Sequence, residues 1–285
     1  MIKIGFIDYF MDNYHAKNYP AWIHDYSNGK MKVTCAYALS DRADGGMSNA
    51  KWSEKYNIPM LNSVNDVIEQ SDCIMVLSPS NPQMHETLSE EALKSGKCVY
   101  VDKAFAQDAE TAKRMFSLAD KWGTPCCSSS SLAFAYSYES IDKSKIKTIS
   151  SKGPGSFDVY AIHQFEPVIA LMGSRPVRVM AIGNDKFPSF IIEFEDGKTA
   201  KTEQFDSAPF EMYVGYDDGS SDFIKAEEDI FKGFILKLIE YFESGKLVAQ
   251  HNQTLAVISV LDAAKEATQK PFVWIDVKPY KSTIK

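Results

Sequence analysis

Lys103 is the residue in this sequence whose type and position most clearly suggest chemistry. It follows the run Cys98-Val-Tyr-Val-Asp102, whose β-branched and aromatic residues are typical of a buried parallel strand. Ligands bind at the carboxyl ends of the strands in an open parallel sheet. A partly buried lysine at that end is a strong electrostatic group. The alternative interpretation is a solvated loop lysine, and the neighbouring segments have to decide between the two.

The segments that would position Lys103 alternate between strand and helix patterns. The predicted strands are 2–7, 31–39, a brief one at 58–60, 73–77 and 99–101. The predicted helices are 13–25, 48–56, 64–70, 84–95 and 108–121, with Ser63 or Asn62 as the cap of the third. Repeated strand–helix units with short joins predict a doubly wound, Rossmann-type parallel sheet. We assign residues 1–124 to this domain.

The pattern changes after Pro125, and residues 125–285 are predicted to form an α+β domain with a mostly antiparallel sheet. Its strand-like runs are 177–182, 190–194, 198–205, 210–214 and 272–275, with hairpin turns at 195–197 and 218–219. Two helices are expected near 230–242 and 255–267. The apolar stripe of the first of these helices favours a core position over a cofactor site.

Composition excludes several classes of protein. A chain of 285 residues exceeds the usual single core, so two domains are expected. The net charge of −7 is spread along the chain, which argues against nucleic acid and anionic membranes as partners. Five cysteines without Cys-x-x-Cys spacing predict reduced thiols, with no disulfide framework and no zinc or other metal site. Because Met1 opens directly into a strand pattern, we expect no signal peptide and a cytoplasmic protein.

The ordered motifs between Ser71 and Gly123 resemble the Gfo/Idh/MocA oxidoreductases, the glucose–fructose oxidoreductase and inositol dehydrogenase group. In that family a strand ends in a Thr/Ser-Pro turn, a helix starts with His, and Gly-Lys-x-Val precedes Glu-Lys-Pro. The matching residues here are Ser78-Pro79, His85, Gly96-Lys97-Cys98-Val99 and Asp102-Lys103-Ala104. The segments 153–173 and 234–273 are also similar to the family, so the resemblance covers most of the chain.

The resemblance implies hydride transfer between NAD or NADP and a sugar, cyclitol or related hydroxyl. Lys103 matches the lysine that orients substrate and stabilises oxyanion charge, and His163 matches the proton-transferring histidine, whose ordinary pKa near neutrality suits that task. Ser78, Pro79, His85 and Asp102 are the implied contacts on the nicotinamide side. For His85 and His163 a hydrogen-bonded core histidine is the alternative. His15, His24 and His251 are expected to be structural or surface residues.

The segment after the first strand departs from a dinucleotide site. Such a site needs glycines there, so that the backbone can approach the pyrophosphate at a helix N-terminus. Asp8 and Phe10 stand where small residues are expected, and Asp12 adds a second carboxylate. Two like charges about 4 Å apart cost roughly 4 kcal/mol at the effective dielectric near a surface. Asn13 still offers hydrogen bonds, but the usual cradle is missing.

Three further positions depart from the family. Ala104 replaces the proline after Lys103, which relaxes a backbone restraint. Val159 replaces the aspartate four residues before the histidine, and Glu166 is expected to hold the imidazole instead, although Pro167 makes the helix geometry uncertain. The polar run Ser128–Ser131 has no role that the sequence reveals.

Asp41 and Arg42 follow the second strand, where an acidic residue hydrogen-bonds the adenosine ribose. Arg42 could instead pair with a 2′-phosphate, which leaves NAD and NADP both open, and a simple polar turn is the third interpretation.

Two functions follow: an oxidoreductase with a variant phosphate loop, or a relative that has lost hydride transfer and binds a metabolite or serves as a scaffold. An open sheet face in the second domain predicts a homodimer or homotetramer.

Overall fold

The computed structural model describes residues 1–226 and 229–279. The chain divides into two units, one formed by Met1–Ser129 with Ile235–Gln250 and the other by Ser130–Phe234 with the residues from His251 onward. The first division therefore falls after residue 129, whereas the sequence placed it after 124. The segment 235–250, which the sequence assigned to the second domain, packs in the first unit.

The first unit contains a five-stranded, wholly parallel sheet in the order β2-β1-β3-β4-β5. Its strands are β1 (Ile2–Asp8), β2 (Met31–Ala38), β3 (Cys73–Val76), β4 (Cys98–Val101) and β5 (Cys126–Cys127). Its helices are α1 (Tyr14–Tyr26), α2 (Asn49–Tyr56), α3 (Val64–Gln70), α4 (His85–Leu93) and α5 (Ala109–Lys121). The predicted Rossmann-type sheet is confirmed. The predicted strand at 58–60 is reduced to an isolated bridge between Ala36 and Met60.

Local sequence fixes where these helices begin. The side chains of Asn13, Ser48, Ser63 and Asp108 each accept a hydrogen bond from a backbone N–H in the first turn of the helix that follows. Such a cap satisfies a donor that has no partner inside the helix. Of the two caps proposed for α3, Ser63 is the one used. The strands that alternate with these helices are mostly buried.

The second unit contains a seven-stranded sheet in the order β11-β10-β6-β9-β8-β7-β12. The β6–β9 pair is parallel and the other pairs are antiparallel, so the predicted mostly antiparallel sheet is confirmed. Its strands are β6 (Ile146–Gly153), β7 (Pro176–Ala181), β8 (Ser189–Phe194), β9 (Thr199–Gln204), β10 (Glu211–Tyr216), β11 (Ser221–Lys225) and β12 (Trp274–Asp276). The helices of this half of the chain are α6 (Phe157–Met172), α7 (Ile230–Ser244) and α8 (His251–Thr268).

One face of the seven-stranded sheet is buried and the other face is open. Ile149, Ile192 and Val214, from three different strands, are fully buried. On other positions of β10 and β11, the rings of Tyr213 and Phe223 are 48% and 53% exposed and lie 4.8 Å apart. The apolar stripe predicted for α7 is buried, as expected of a core helix. No helix within 1–226 or 229–279 combines the length and apolarity that a bilayer crossing requires.

Candidate active site

Lys103 lies directly after β4, at the carboxyl end of the parallel sheet. Its Nζ donates to the carbonyl oxygen of Pro79 at 3.3 Å, and the peptide bond between Lys103 and Ala104 is cis. Because β3 and β4 are neighbours in the sheet, their carboxyl ends bring the Ser78-Pro79 turn and the Asp102-Lys103 pair together. The sequence-predicted neighbours of Lys103 therefore lie around it in the fold.

Asp102, the residue before Lys103, forms a buried pair with a histidine that the sequence did not connect to it. The Nδ1 atom of His15, in the first turn of α1, is 2.6 Å from Asp102 Oδ2, and the hydroxyl of Tyr100 donates to Oδ1 at 3.0 Å. Burial raises the pKa of Asp102, but the charge and hydrogen bond of His15 outweigh burial and lower this pKa to about 2. Asp102 is therefore an anion, and its hydrogen bonds to Tyr100 and His15 are all internal to the first unit.

His85 is fully buried at the start of α4 and links the segments that follow β3 and β4. Its Nδ1 lies 2.9 Å from the carbonyl oxygen of Ala104, and its Nε2 lies 2.8 Å from that of Leu77. Burial lowers the pKa of His85, while the negative charge of Asp102 and the surrounding carbonyl groups oppose that change. The imidazole thus bridges the backbone just after Lys103 and the backbone that follows β3.

Asp8 ends β1 and is buried, with three hydrogen-bond donors around its carboxylate. Oδ1 accepts from the backbone N–H groups of Tyr9 at 2.7 Å and Ser78 at 3.0 Å, and Oδ2 accepts from Asn13 Nδ2 at 2.8 Å. Burial raises the pKa of Asp8 to about 7, against the effect of these hydrogen bonds. The carboxyl group therefore ties the loop after β1 to the loop after β3.

The remaining residues of the predicted phosphate loop are also engaged within the first unit. Asp12 pairs with Lys17 and accepts from the N–H of Met47 at 3.0 Å; its pKa is lowered, chiefly by the Lys17 hydrogen bond. The guanidinium of Arg42 lies 5.7 Å from the centre of the Phe10 ring. The side chains of this loop are thus already engaged with other residues of the first unit.

The two residues after β2 are held in a polar turn. Arg42 pairs with Asp44 at 2.5 Å, and Asp41 accepts from the N–H of Asn49 at 2.6 Å. Asn49 in turn accepts from the N–H of Met11 at 2.9 Å, which joins this turn to the loop after β1. The sequence left two interpretations for Asp41, a ribose contact and a turn residue. Its position after β2 is compatible with both.

The donor set near Lys103 fits the nicotinamide end of a dinucleotide better than the loop after β1 fits its diphosphate. Lys103 supplies a cation at the carboxyl end of β4, where a polar ring substituent or hydroxyl can bind. In contrast, the N–H groups of Tyr9 and Ser78 already donate to the carboxylate of Asp8. Asp12 adds a second negative charge. The segment 8–13 therefore does not fit a diphosphate in the way that a glycine-rich loop does.

His163 belongs to the second unit and lies on α6, a helix that continues through Pro167. Its Nδ1 is 2.7 Å from the hydroxyl of Ser130, whose backbone N–H donates to the buried carboxylate of Glu166 at 2.6 Å. Glu166 was expected to hold the imidazole itself, and these contacts connect it to His163 through Ser130. Val159 is 51% exposed.

Ser130 is a site residue that the sequence missed. It follows β5 and lies far from α6 along the chain, so no local spacing could pair it with His163. The only sequence signal was the run of serines at 128–131, for which no role was assigned. The rings of Tyr160 and Phe210 lie 5.7 and 6.0 Å from the centre of the imidazole, which gives His163 a partly apolar surrounding.

Residues 13–129 match the model of the GFO_IDH_MocA family, described as an oxidoreductase family with an NAD-binding Rossmann fold. Scyllo-inositol dehydrogenase from Lactobacillus casei, solved with NAD(H) and scyllo-inositol, is 13% identical with a TM-score of 0.77, over 97% of this chain and 99% of that chain. UDP-N-acetylglucosamine 3-dehydrogenase from Acidithiobacillus ferrooxidans is 12% identical with a TM-score of 0.77, over 94% and 98%. At these identities the likeness establishes the fold. No curated protein matches the sequence.

Proposed function

We propose that the chain is an active NAD-dependent member of the Gfo/Idh/MocA oxidoreductases, the family whose model, with its NAD-binding Rossmann fold, matches residues 13–129. The reaction would transfer a hydride between the nicotinamide and the hydroxyl carbon of a sugar, cyclitol or related compound. The observation that carries this proposal is the placement of Lys103 at the carboxyl end of β4, beside Pro79. A bound nicotinamide supplies or accepts the hydride.

Lys103 and His163 are the two residues to which we assign chemistry. The ammonium of Lys103 would hold the reacting oxygen and stabilise negative charge that develops on it. His163 would take the proton of the hydroxyl, or return it when a carbonyl is reduced. Because its Nδ1 is hydrogen-bonded to Ser130, we assign this proton transfer to Nε2. Ser130 and Glu166 would orient the ring.

We propose NAD in preference to NADP. Arg42, the residue that would recognise a 2′-phosphate, is held by Asp44 at 2.5 and 2.9 Å. Asp41 lies beside it, where a carboxylate would repel a 2′-phosphate and accept from ribose hydroxyls. Asp8, Phe10, Ser78, Pro79, His85 and Asp102 would form or support the rest of the cofactor site.

The second candidate is a relative that has lost hydride transfer and binds a metabolite or serves as a scaffold. The hydrogen bonds that Asp8 accepts from Tyr9 and Ser78 favour it, because they use donors that face the diphosphate in a glycine-rich loop. Both candidates share the fold, so only a binding measurement separates them.

Titration of the folded protein with NADH and NADPH, followed by nicotinamide fluorescence and calorimetry, tests the proposal. We expect micromolar binding of NADH and weaker binding of NADPH. If neither binds while circular dichroism shows an intact fold, the oxidoreductase proposal fails and the second candidate replaces it. Tighter binding of NADPH would overturn only the choice of NAD.

If NADH binds, variants test the two assigned residues. Lys103→Ala and His163→Ala should each lower turnover with an active sugar or cyclitol by at least about 100-fold. Matched controls are Lys121→Ala and His24→Ala, which remove an exposed lysine and an exposed histidine. Wild-type turnover in either active-site variant would remove that residue from the proposed chemistry.

We further propose that the protein is a cytoplasmic homodimer or homotetramer. The five cysteines are all free thiols, which suits a reducing compartment. The exposed rings of Tyr213 and Phe223 lie side by side on the open face of the seven-stranded sheet. Such a pair of aromatic side chains is typical of a surface that a second copy covers.

A further inference from the structure

Cys73 and Cys98 lie opposite each other on neighbouring strands. They are the first residues of β3 and β4, and the parallel register pairs them directly. Adjacent strands are about 4.8 Å apart, and the Cα atoms of a disulfide are usually about 4.4–6.8 Å apart. Paired residues of parallel strands also point to the same face of the sheet. The register therefore places the two thiols within the range of backbone separations that disulfides span.

The two thiols already interact and have different roles in that interaction. The neighbouring thiol raises the pKa of Cys73 and lowers the pKa of Cys98. The Cys73 thiol itself donates to the carbonyl oxygen of Phe242 at 3.9 Å. Because the thiolate is the nucleophilic form of cysteine and Cys98 is the more exposed of the two thiols, we assign Cys98 as the nucleophile.

A small oxidant has access to this end of the sheet. Cys98 is partly exposed, whereas Cys73 is 4% exposed. A cavity of about 470 Å³ lies at the same end of the sheet, and its lining includes Asp72 and Lys97 but neither cysteine. The partial exposure of Cys98 is therefore what gives a small polar molecule access to the pair.

We propose that Cys73 and Cys98 form a dithiol site that peroxide oxidises to a disulfide. The Cys98 thiolate attacks one peroxide oxygen, so that an S–O bond forms, the O–O bond breaks and hydroxide leaves. The product is a sulfenic acid on Cys98. Cys73 then attacks that sulfur, an S–S bond forms, the S–O bond breaks, and hydroxide leaves as water with the Cys73 proton. With the proton that the first hydroxide takes up, the two thiols are oxidised and hydrogen peroxide is reduced to two waters.

The remaining cysteines serve as internal controls. Cys35, Cys126 and Cys127 are all buried. Cys126 and Cys127 are consecutive residues of one strand, so their side chains point to opposite faces of the sheet. Trypsin places the pair and the controls in separate peptides: Cys73 in 56–94, Cys98 in 98–103, Cys35 in 33–42, and the last two in 122–143.

Peptide mapping of the folded, full-length protein tests the site. After equimolar hydrogen peroxide and alkylation of the remaining thiols, a non-reducing digest should contain peptide 56–94 linked to peptide 98–103. Dithiothreitol should release the two peptides. Cys35, Cys126 and Cys127 should be recovered alkylated. An unlinked Cys98 oxidised to sulfinic or sulfonic acid, or oxidation of the control cysteines to the same extent, would overturn the proposal.

Two variants test the order of the steps. Cys98→Ser should leave Cys73 as a thiol after peroxide treatment. Cys73→Ser should stop at the Cys98 sulfenic acid, which dimedone labels. In the unmodified protein, iodoacetamide should alkylate Cys98 at least about tenfold faster than Cys73; equal rates would contradict the assignment of Cys98 as nucleophile. The wild-type mapping decides the proposal even if a variant does not fold.

Discussion

Asp8 is a single residue whose protonation should affect the stability of the fold. Its carboxyl group accepts three hydrogen bonds, yet burial raises its pKa to about 7. Below that pH the folded protein holds a proton on Asp8 that the unfolded chain has already lost above its ordinary pKa of 3.8. The contribution of this proton to the stability of the folded state is therefore complete below pH 3.8, the pKa in the unfolded chain. It is lost as the pH rises through about 7, the pKa in the folded protein.

We expect stability to fall between pH 4 and 8 by a contribution from Asp8 of up to about 4 kcal/mol, from roughly three pKa units at about 1.4 kcal/mol each. The Asp8→Asn variant cannot titrate and should lack this contribution. Urea unfolding of both proteins at several pH values measures the difference. Asp158→Asn, at an exposed position, should keep the wild-type slope. Parallel pH profiles for wild type and Asp8→Asn would show that Asp8 does not carry the effect.

The pair formed by His15 and Asp102 should contribute to stability far more than a surface ion pair. His15→Ala removes the imidazole that is hydrogen-bonded to the buried Asp102 carboxylate, and breaking such a buried pair costs about 3–5 kcal/mol. Lys94→Ala is the matched comparison, because Lys94 pairs with Glu90 and Glu91 on the surface and should cost at most about 1 kcal/mol. Urea unfolding at neutral pH measures both. Similar losses in the two variants would argue against a buried charged pair.

The residue scale also shows why the sequence predicted only part of the candidate site. Lys103 and the Ser78-Pro79 turn follow buried strands, so the parallel sheet brings them together in a predictable way. His15 contacts Asp102, which is 87 residues away in the sequence, and Ser130 contacts His163, which is 33 residues away. Nothing in the local pattern around either residue specifies those contacts, because packing of a helix or loop on the sheet creates them.

At the scale of elements, strand β6 is the clearest failure of pattern-based prediction. Its sequence, Ile-Lys-Thr-Ile-Ser-Ser-Lys-Gly, carries only two apolar residues. Yet β6 pairs with β10 on one side and β9 on the other, so it lies inside the sheet. Strand signals depend on alternating apolar residues, and here serines and lysines occupy most of the strand. The helices of the first unit, α7, α8 and the hairpin strands were predictable because caps, turn residues and apolar periods marked them. The helix α6 was not among the predicted helices.

A pair of substitutions tests whether β6 is a core strand. Ile149 is fully buried, and Ile149→Ala should lower the free energy of unfolding by about 2–5 kcal/mol through lost burial and the cavity that remains. Lys147→Ala replaces an exposed residue of the same strand. It should change the free energy of unfolding by less than about 0.5 kcal/mol. Urea unfolding compares them. A small loss for Ile149→Ala would contradict the central position of β6.

At the scale of the whole molecule, the open face of the second sheet raises the question of what covers it. A monomer would leave the rings of Tyr213 and Phe223 in water. Because burial of aromatic surface is favourable and these rings already lie side by side, 4.8 Å apart, a second copy of the chain is the partner that we propose. Light scattering of wild type at micromolar concentration should give a multiple of the mass of one chain.

The double variant Tyr213→Glu with Phe223→Glu should give the mass of one chain, because two carboxylates on each copy would have to be buried unpaired in the interface. Trp122→Glu is the control, since Trp122 is as exposed as Phe223, at 53%, but belongs to the first unit. It should keep the wild-type mass. A wild type that scatters as a single chain would remove the oligomer proposal, and a double variant that keeps the larger mass would move the interface to another surface. Either result leaves the assignments of Lys103 and His163 to be judged by turnover alone, since neither depends on this face.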